Sequence, residues 1–192
     1  TLHGALFAAV DATPPTAEIR ARIRALNQQR VERCQAFFAS NKDVLAQQDE
    51  LICPTEVYLP GVMESLSRQP QRQGRALEVG PGNGALLLQL AGRFTEVVGM
   101  DSSATMLNTT ADHIAHQPAA NQISLVQDDF FSVAAQPQFD ALIAAMVLHH
   151  MPSPEAFFHK AARLLNHGGD LVIAELCRHT QDWVTTTVGD LW

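Results

Sequence analysis

Three groups of residues in this sequence are of types that do chemistry. The first is a run of alternating glycines, Gly80-Pro-Gly82-Asn-Gly84, set between an apolar stretch and a leucine-rich one. A strand that ends in such a run and opens straight into a helix brings backbone amides to a helix N-terminus, with no side chains to hold a ligand away. By itself the run fits a nucleotide-type ligand, because Gly80-x-Gly82-x-x-Ala85 also meets the loose dinucleotide pattern. The second group is acidic. Glu78 interrupts the apolar "ALEVG", where a carboxylate is costly without partners, and it suits a ligand carrying an ammonium group better than a nicotinamide. Asp101 follows the apolar "VVGM", a place from which a carboxylate accepts bonds from both hydroxyls of a ribose. Capping the next helix is the plainer role for it, and one equally open to Ser102. The third group is His149-His150, after the apolar "AAMVL". An imidazole with an ordinary pKa of about 6.5 takes a proton from an oxygen or nitrogen nucleophile near neutral pH. The plainer reading has both rings packing the turn before Pro152; of the two, His150 is the better candidate base.

These groups need elements to position them. From Gly74 onward short apolar segments alternate with helix-length ones, the rhythm of βαβ units around a parallel sheet. Strands are predicted at Arg75–Val79, Glu96–Met100, Ile123–Val126, Phe139–Met146 and Leu171–Leu176, and helices at Ala85–Ala91, Ala104–His113 and Pro154–Leu165. The expected fold class is α/β, a doubly wound parallel sheet, with all three groups at carboxyl ends of strands, where open α/β sheets bind their ligands. Residues 1–72 read as a helical N-terminal cap or dimerisation segment, and 73–192 as the main domain. Ile19, Ile23, Leu26, Cys34 and Phe37 are spaced as one face of an amphipathic helix beginning after Thr16. A second helical piece through "TEVYLPGVMESLSR" is expected to break or kink near Pro60–Gly61, and the polar "QPQRQG" reads as a linker. A homodimer is expected to form through these N-terminal helices.

Bulk composition narrows the partners. A chain of 192 residues, 46% hydrophobic and 17% charged, has the make-up of a globular domain. A net charge of −7 with no basic stripe argues against gripping a phosphate backbone, so the expected partner is a small molecule and not a nucleic acid. No apolar run approaches the roughly 20 residues of a membrane span, and the start lacks the basic region of a secretory signal, which places the protein in the cytoplasm. Cys34, Cys53 and Cys177 are far apart and match no metal-ligand spacing, so they are expected to be buried, reduced thiols. No metal is expected, because adjacent histidines do not readily face one ion. The chain starts without Met and ends on "TTTVGDLW" with no capping signal, so it is expected to be a piece of a longer protein.

Taken in order, "LEVGPGNG", "VVGMDSSATML", "LVQDDFF", "FDALIAAMVLHHMPSPEAF" and "ARLLNHGGDLVIAEL" resemble the motifs of the class I S-adenosylmethionine-dependent methyltransferases, over about Arg75 to Cys177. The resemblance implies S-adenosylmethionine as cofactor and methyl transfer to a small molecule as reaction. It implies that Glu78, Gly80, Gly82 and Gly84 form the loop around the methionine part. Asp101 then holds the ribose with Ser102 beside it, Met106 lines the adenine pocket, and Phe130 packs on the adenine ring or bonds to it through its backbone. Asp129 is the best match for the acid on the adenine amino group, and Asp128 competes for that role. The family often has Lys-Pro where this chain has Asn166-His167; Gly168 and Gly169 still supply a turn into the last strand. Such a sheet would continue past that strand with a helix and an antiparallel pair, so the domain is expected to be incomplete at its C-terminal end. "RVERCQAFFASN" resembles the segment joining an ArsR-type winged-helix regulator to a methyltransferase domain. That keeps open an alternative, a sensory domain reading S-adenosylmethionine or S-adenosylhomocysteine without turnover. A nicotinamide-dependent oxidoreductase is the other rival, disfavoured by Glu78.

Overall fold

The computed structural model describes residues 14–40, 53–67 and 74–177. Among these, helices α1 (Ala17–Ser40) and α2 (Thr55–Leu66) precede an alternating series. That series runs β1 (Arg75–Val79), α3 (Ala85–Ala91), β2 (Glu96–Asp101), α4 (Ala104–Ile114), β3 (Ile123–Gln127), β4 (Phe139–Ala145), α5 (Pro154–Leu164) and β5 (Leu165–Ala174). The five strands form one parallel sheet in the order β3-β2-β1-β4-β5. β1, β2 and β4 lie inside it, and their near-continuous apolar runs fit strands covered on both faces. β3 and β5 are its edges among the described residues.

Alternate residues of the central strands feed two cores. Ala76, Val97, Ala141, Ile143 and Ala145 pack with Val62 and Leu66 of α2 and Leu86, Leu87 and Leu90 of α3. Leu77, Val79, Val98, Leu142 and Ala144 pack with Phe157, Ala161 and Leu164 of α5. Glu78 shares the parity of Ala76 and therefore lies on the α2–α3 face, in register with Gly99 and Ile143. The chain winds outward from β1 to β3 and then returns to place β4 against the other side of β1. The carboxyl ends of β1 and β4 thus flank the point where the strand order reverses, which is where open α/β sheets have a crevice.

Several local expectations are corrected. α2 runs through Pro60 without a break: proline removes one helical bond, while burial of Val62 and Leu66 a turn later holds the helix on the sheet. β4 stops at Ala145, not Met146, because Met146 turns to a positive φ of 53°. β5 starts at Leu165, and α5 ends one residue earlier than expected. Pairing jumps from Phe139↔Leu165 to Ala141↔Asp170, so Gly168 and Gly169 sit in a bulge within the strand, not in a turn before it. The cysteines differ as well. Cys53 is half-buried and Cys177 exposed, because they fall at the ends of elements and not in a core; both are free thiols. The side chains of Cys34 and Phe37 lie outside the described residues, as does "WVTTTV". In α1 the remaining apolar positions, Ile19, Ile23 and Leu26, are exposed. No helix of the described residues is long and apolar enough to cross a membrane.

Candidate active site

The glycine run builds a closed turn. Gly80 N–H donates to Met100 O at 2.9 Å, tying the turn to β2, and Gly84 N–H donates to Pro81 O at 2.8 Å. The three glycines serve different ends. A Cβ on Gly80 would meet Val147 Cγ2 at 2.6 Å, and one on Gly84 would meet Ile114 Cγ2 at 2.8 Å and Thr110 Cγ2 at 3.0 Å. Those two make room for the protein's own packing. Only Gly82, at φ 52°, would point a Cβ into open space, and its carbonyl accepts from Thr110 Oγ1 at 2.7 Å. The expected free helix amide is also partly spent, since Ala85 N–H donates to Asn83 Oδ1 at 3.0 Å. What the turn leaves open is space beside Gly82.

That space belongs to a cavity of about 390 Å³, within the usual range for ligand sites. Its wall includes Gly80, Gly82, Asp101, Ser102, Met106, Asp128, Asp129, Phe130 and His150, so the structure brings together nine of the residues singled out in the sequence. Glu78 and Gly84 are not on the wall. Glu78 is 3% exposed, and its Oε2 has no hydrogen-bond partner among the described residues. Burial pushes its carboxyl well above the ordinary range. Of the chain's five methionines, Met100, Met106, Met146 and Met151 line the cavity, a polarisable and adaptable surface.

Asp101 Oδ1 accepts from Ser103 N–H at 2.8 Å. Burial raises its pKa from 3.8 to about 6, against the lowering effect of backbone bonds from Ser103 and Ser102. Neither Asp101 nor Ser102 caps α4; Ser103 does, accepting from Met106 N–H at 3.3 Å, because it stands directly before the first helical residue. Both oxygens of Asp129 are engaged locally, with Phe131 N–H at 3.2 Å and Ser132 Oγ at 2.8 Å. Asp128 has a single local bond, from Asp129 N–H at 2.8 Å. The Phe130 ring is buried and stacks on Phe157 with centroids 4.7 Å apart, so it braces the wall from the core side.

After β4 the backbone of Met146 adopts its positive φ while its N–H donates to Ala174 O at 2.8 Å on β5. A non-glycine residue held there is sparsely populated and concentrates at functional sites. The turn that follows, Leu148–His150, puts His150 on the cavity wall. His149 is not on the wall. Its Nδ1 lies 2.7 Å from Glu175 Oε1, and the two rings meet edge to face at 4.1 Å. Sequence reasoning missed Glu175 and Thr110. The signal for Glu175 was present: a lone acid at the end of the apolar "DLVIA", the same pattern that marked Asp101. Among the described residues no three histidine, cysteine or acidic side chains converge as a metal site would need.

Residues 77–173, about half of the chain, match the family model described as a methyltransferase domain. The chain belongs to that family, in the class I S-adenosylmethionine-dependent group that its motifs resemble and whose sheet it has. A ubiquinone biosynthesis O-methyltransferase of Alkalilimnicola ehrlichii is 29% identical over 115 residues, covering 60% of this chain and 47% of that protein. The enzyme of the same description from Thiobacillus denitrificans is 28% identical over 123 residues, 64% of this chain and 53% of that protein. The chain spans about half the length of these curated relatives. Among solved structures, DhpI in complex with SAH superposes with a TM-score of 0.59 at 22% identity, over 79% of this chain and 75% of that one. Phosphoethanolamine N-methyltransferase 1 of Haemonchus contortus does so at 0.60 and 17%, over 80% and 34%. At these identities the structural likeness is one of fold.

Proposed function

We propose that this domain binds S-adenosylmethionine in the cavity beside Gly82 and transfers its methyl group to a small-molecule acceptor. The observation that carries the reading is a pair of acids near the Gly80–Gly84 turn: Glu78, whose Oε2 has no partner among the described residues, and Asp101 on the cavity wall, raised to about 6 by burial despite its backbone bonds. Buried carboxylates are normally satisfied, and those that are not call for a ligand that completes them. An ammonium group near the turn would answer Glu78, and ribose hydroxyls would answer Asp101 beside Ser102. Asp128, with fewer local bonds than Asp129, is the acid we assign to the adenine amino group, Asp129 being engaged in holding the turn it begins. Met106 and Phe130 then bound the adenine pocket. When bound, the cofactor supplies a methyl on a sulfonium sulfur, activated for in-line displacement. The chain's contribution is alignment, which can be worth on the order of 7–11 kcal/mol.

The names of the curated relatives favour turnover over the sensory alternative. The net charge of −7 favours a small acceptor over a nucleic acid. Residues 1–72 we take as a cap on the acceptor side, supported by the bond from Arg30 Nη1 to Pro152 O at 3.3 Å, which joins α1 to the segment after His150. The exposed Ile19, Ile23 and Leu26 support pairing of two copies through α1, which sedimentation velocity would test. Calorimetry with S-adenosylhomocysteine and with NAD tests the cofactor: the first should bind and the second should not. The reverse result, or binding of neither, would sink the reading.

A further inference from the structure

One side of the cofactor cavity is walled by a segment that the sheet itself supports poorly. Residues 128–138 leave β3, an edge strand whose residues are half-buried or exposed, and reach β4 through turn and loop. Bonds within the segment give it shape: Asp129 accepts from Phe131 N–H and Ser132 Oγ, and Ser132 N–H donates to Asp129 O at 2.8 Å. Contacts with distant residues decide where that turn sits against the cavity. Asp128 N–H donates to Asp101 O at 3.1 Å, at the end of β2. The Phe130 ring stacks on Phe157 of α5, with centroids 4.7 Å apart. Lys160, further along α5, donates from Nζ to Phe131 O at 3.1 Å and also to Val133 O. Phe157 and Lys160 are three residues apart and so share a face of the helix. α5 is itself anchored, because Phe157, Ala161 and Leu164 are fully buried in the core with Leu77, Val79 and Leu142. The chain has only two lysines, Lys42 and Lys160. An ammonium has three donors and no acceptor, and a bond from a charged donor is about twice as strong as a neutral one. Among the described residues no lysine or arginine lines the cavity, so this charge works from behind the wall.

We propose that Lys160 is a positioning residue for the base of the cofactor. By clasping the carbonyls of Phe131 and Val133 to α5, it fixes the turn that sets Asp128 against the adenine amino group, and so sets the site's preference for adenine over other bases. This rests on the methyl-transfer reading above and its assignment of Asp128. The Asp128 side chain has a single local bond, from Asp129 N–H, so its direction follows the backbone that Lys160 holds. Without the ammonium the two carbonyls turn to water, and the segment is left to shift about the Phe130 ring. A carboxylate that shifts loses a hydrogen bond whose strength falls steeply with angle, while the space for a flat ring remains. A site built to bond a ligand's N–H rejects an analogue that lacks it. The loss of Lys160 therefore falls on recognition of the base's polar edge more than on cofactor binding as a whole.

The test is calorimetry on the intact protein with S-adenosylhomocysteine and with S-inosylhomocysteine, in which oxygen replaces the adenine amino group. Wild type should prefer the adenine ligand about 10- to 100-fold. Lys160→Met, which keeps the apolar stem and removes the charge, should cut that preference about tenfold or to parity, with the inosine ligand bound nearly as before. Loss of stability alone would weaken both ligands alike and leave their ratio in place. Lys160→Arg, which retains a charged donor, should keep most of the preference. If Lys160→Met does not fold, labelling of wild type with acetic anhydride decides. Saturation with S-adenosylhomocysteine should slow acetylation of Lys160, read by peptide mass spectrometry, because bound adenine steadies the turn to which the ammonium is bonded. The proposal is overturned if Lys160→Met keeps the wild-type ratio, if Lys160→Arg loses it as fully as Lys160→Met, or if bound ligand leaves Lys160 labelling unchanged. Equal binding of the two ligands by wild type would overturn it as well, with the methyl-transfer reading left standing. Failure of wild type to bind S-adenosylhomocysteine would instead remove that reading, and this proposal with it.

Discussion

Asp140, at the amino end of β4, and Glu78, within β1, are both carboxylates built into the sheet, and the protein treats them in opposite ways. Asp140 accepts from Arg75 N–H at 2.8 Å and from Asn166 Nδ2 at 2.9 Å. Gly74 stands against it at φ 96°, where any Cβ would run into the carboxylate. Arg75 beside it bonds Glu96 at 2.8 Å and Gln138 at 3.0 Å, with its guanidinium 5.0 Å from the Phe139 ring centroid. The amino end is thus closed on itself. Toward the carboxyl end Glu78 has an oxygen without a partner among the described residues, Asp101 is raised to about 6, and Met146 is held in a sparsely populated conformation. Polar groups at one end bind the strands together; at the other they lower the stability of the protein alone and are available to a ligand.

This contrast predicts that substitutions at the amino end cost stability and those at the carboxyl end cost binding. The largest effect is expected from Gly74→Val, which forces a branched side chain into the Asp140 carboxylate at a positive φ. A loss of about 3 kcal/mol or more in urea unfolding is expected, with S-adenosylhomocysteine affinity retained by whatever fraction folds. A marginal change in stability would break the comparison at that end. Next, Asp101→Ala should weaken S-adenosylhomocysteine binding by about 1–3 kcal/mol in calorimetry, by leaving ribose hydroxyls without an acceptor. Its unfolding midpoint should not fall, since the removed charge was buried at a cost; a binding constant equal to wild type would take Asp101 out of the site.

The pH dependence follows the same sign. Because the folded protein binds the Asp101 proton more tightly than the unfolded chain, its contribution to stability is greatest below about pH 3.8 and declines as pH rises to about 6. Glu78, also raised by burial, acts in the same direction. Asp101→Asn should remove the Asp101 portion of that decline in unfolding midpoints measured between pH 4 and 6, and an unaltered slope would count against the carboxyl end being electrostatically costly. The smallest effect is expected from Thr110→Val. The Thr110 hydroxyl, fully buried, donates toward Gly82 O at 2.7 Å and Met106 O at 3.0 Å. Its removal should cost about 1 kcal/mol of stability and a few-fold in cofactor affinity, read by calorimetry, by loosening the Gly82 turn. No change in affinity would mean the turn is held by its own backbone.

The alternation of apolar strands with helix-length segments, and the breakers at Gly80–Gly84 and Pro152–Pro154, were legible because period and turn chemistry are local properties of the chain. β1 and α3 begin and end at the predicted residues, and β2, β3, α4 and α5 within one of them. The start of β5 was not legible, because the bulge at Asn166–Gly169 depends on pairing with Phe139 and Ala141 across the sheet. The face of α1 that reads as amphipathic is exposed among the described residues, since periodicity announces an apolar stripe without naming what covers it. In the site, Asp101 and His150 could be listed from their positions after apolar runs, and Asp128 and Asp129 from the family resemblance. The division of labour between neighbours could not.

By itself the sequence determined that a parallel α/β sheet would form and that its acids and histidines would gather at the carboxyl ends of the strands, because a strand's direction and end are encoded in the few residues around them. The tertiary structure alone decided which glycine faces empty space and which histidine meets a carboxylate. Each of these is a contact between segments far apart in the chain: Gly80 with Val147, Gly84 with Ile114, His149 with Glu175. Such contacts depend on the crossover that sets β4 beside β1 and β5 beside β4, and no local pattern of residue types carries that information.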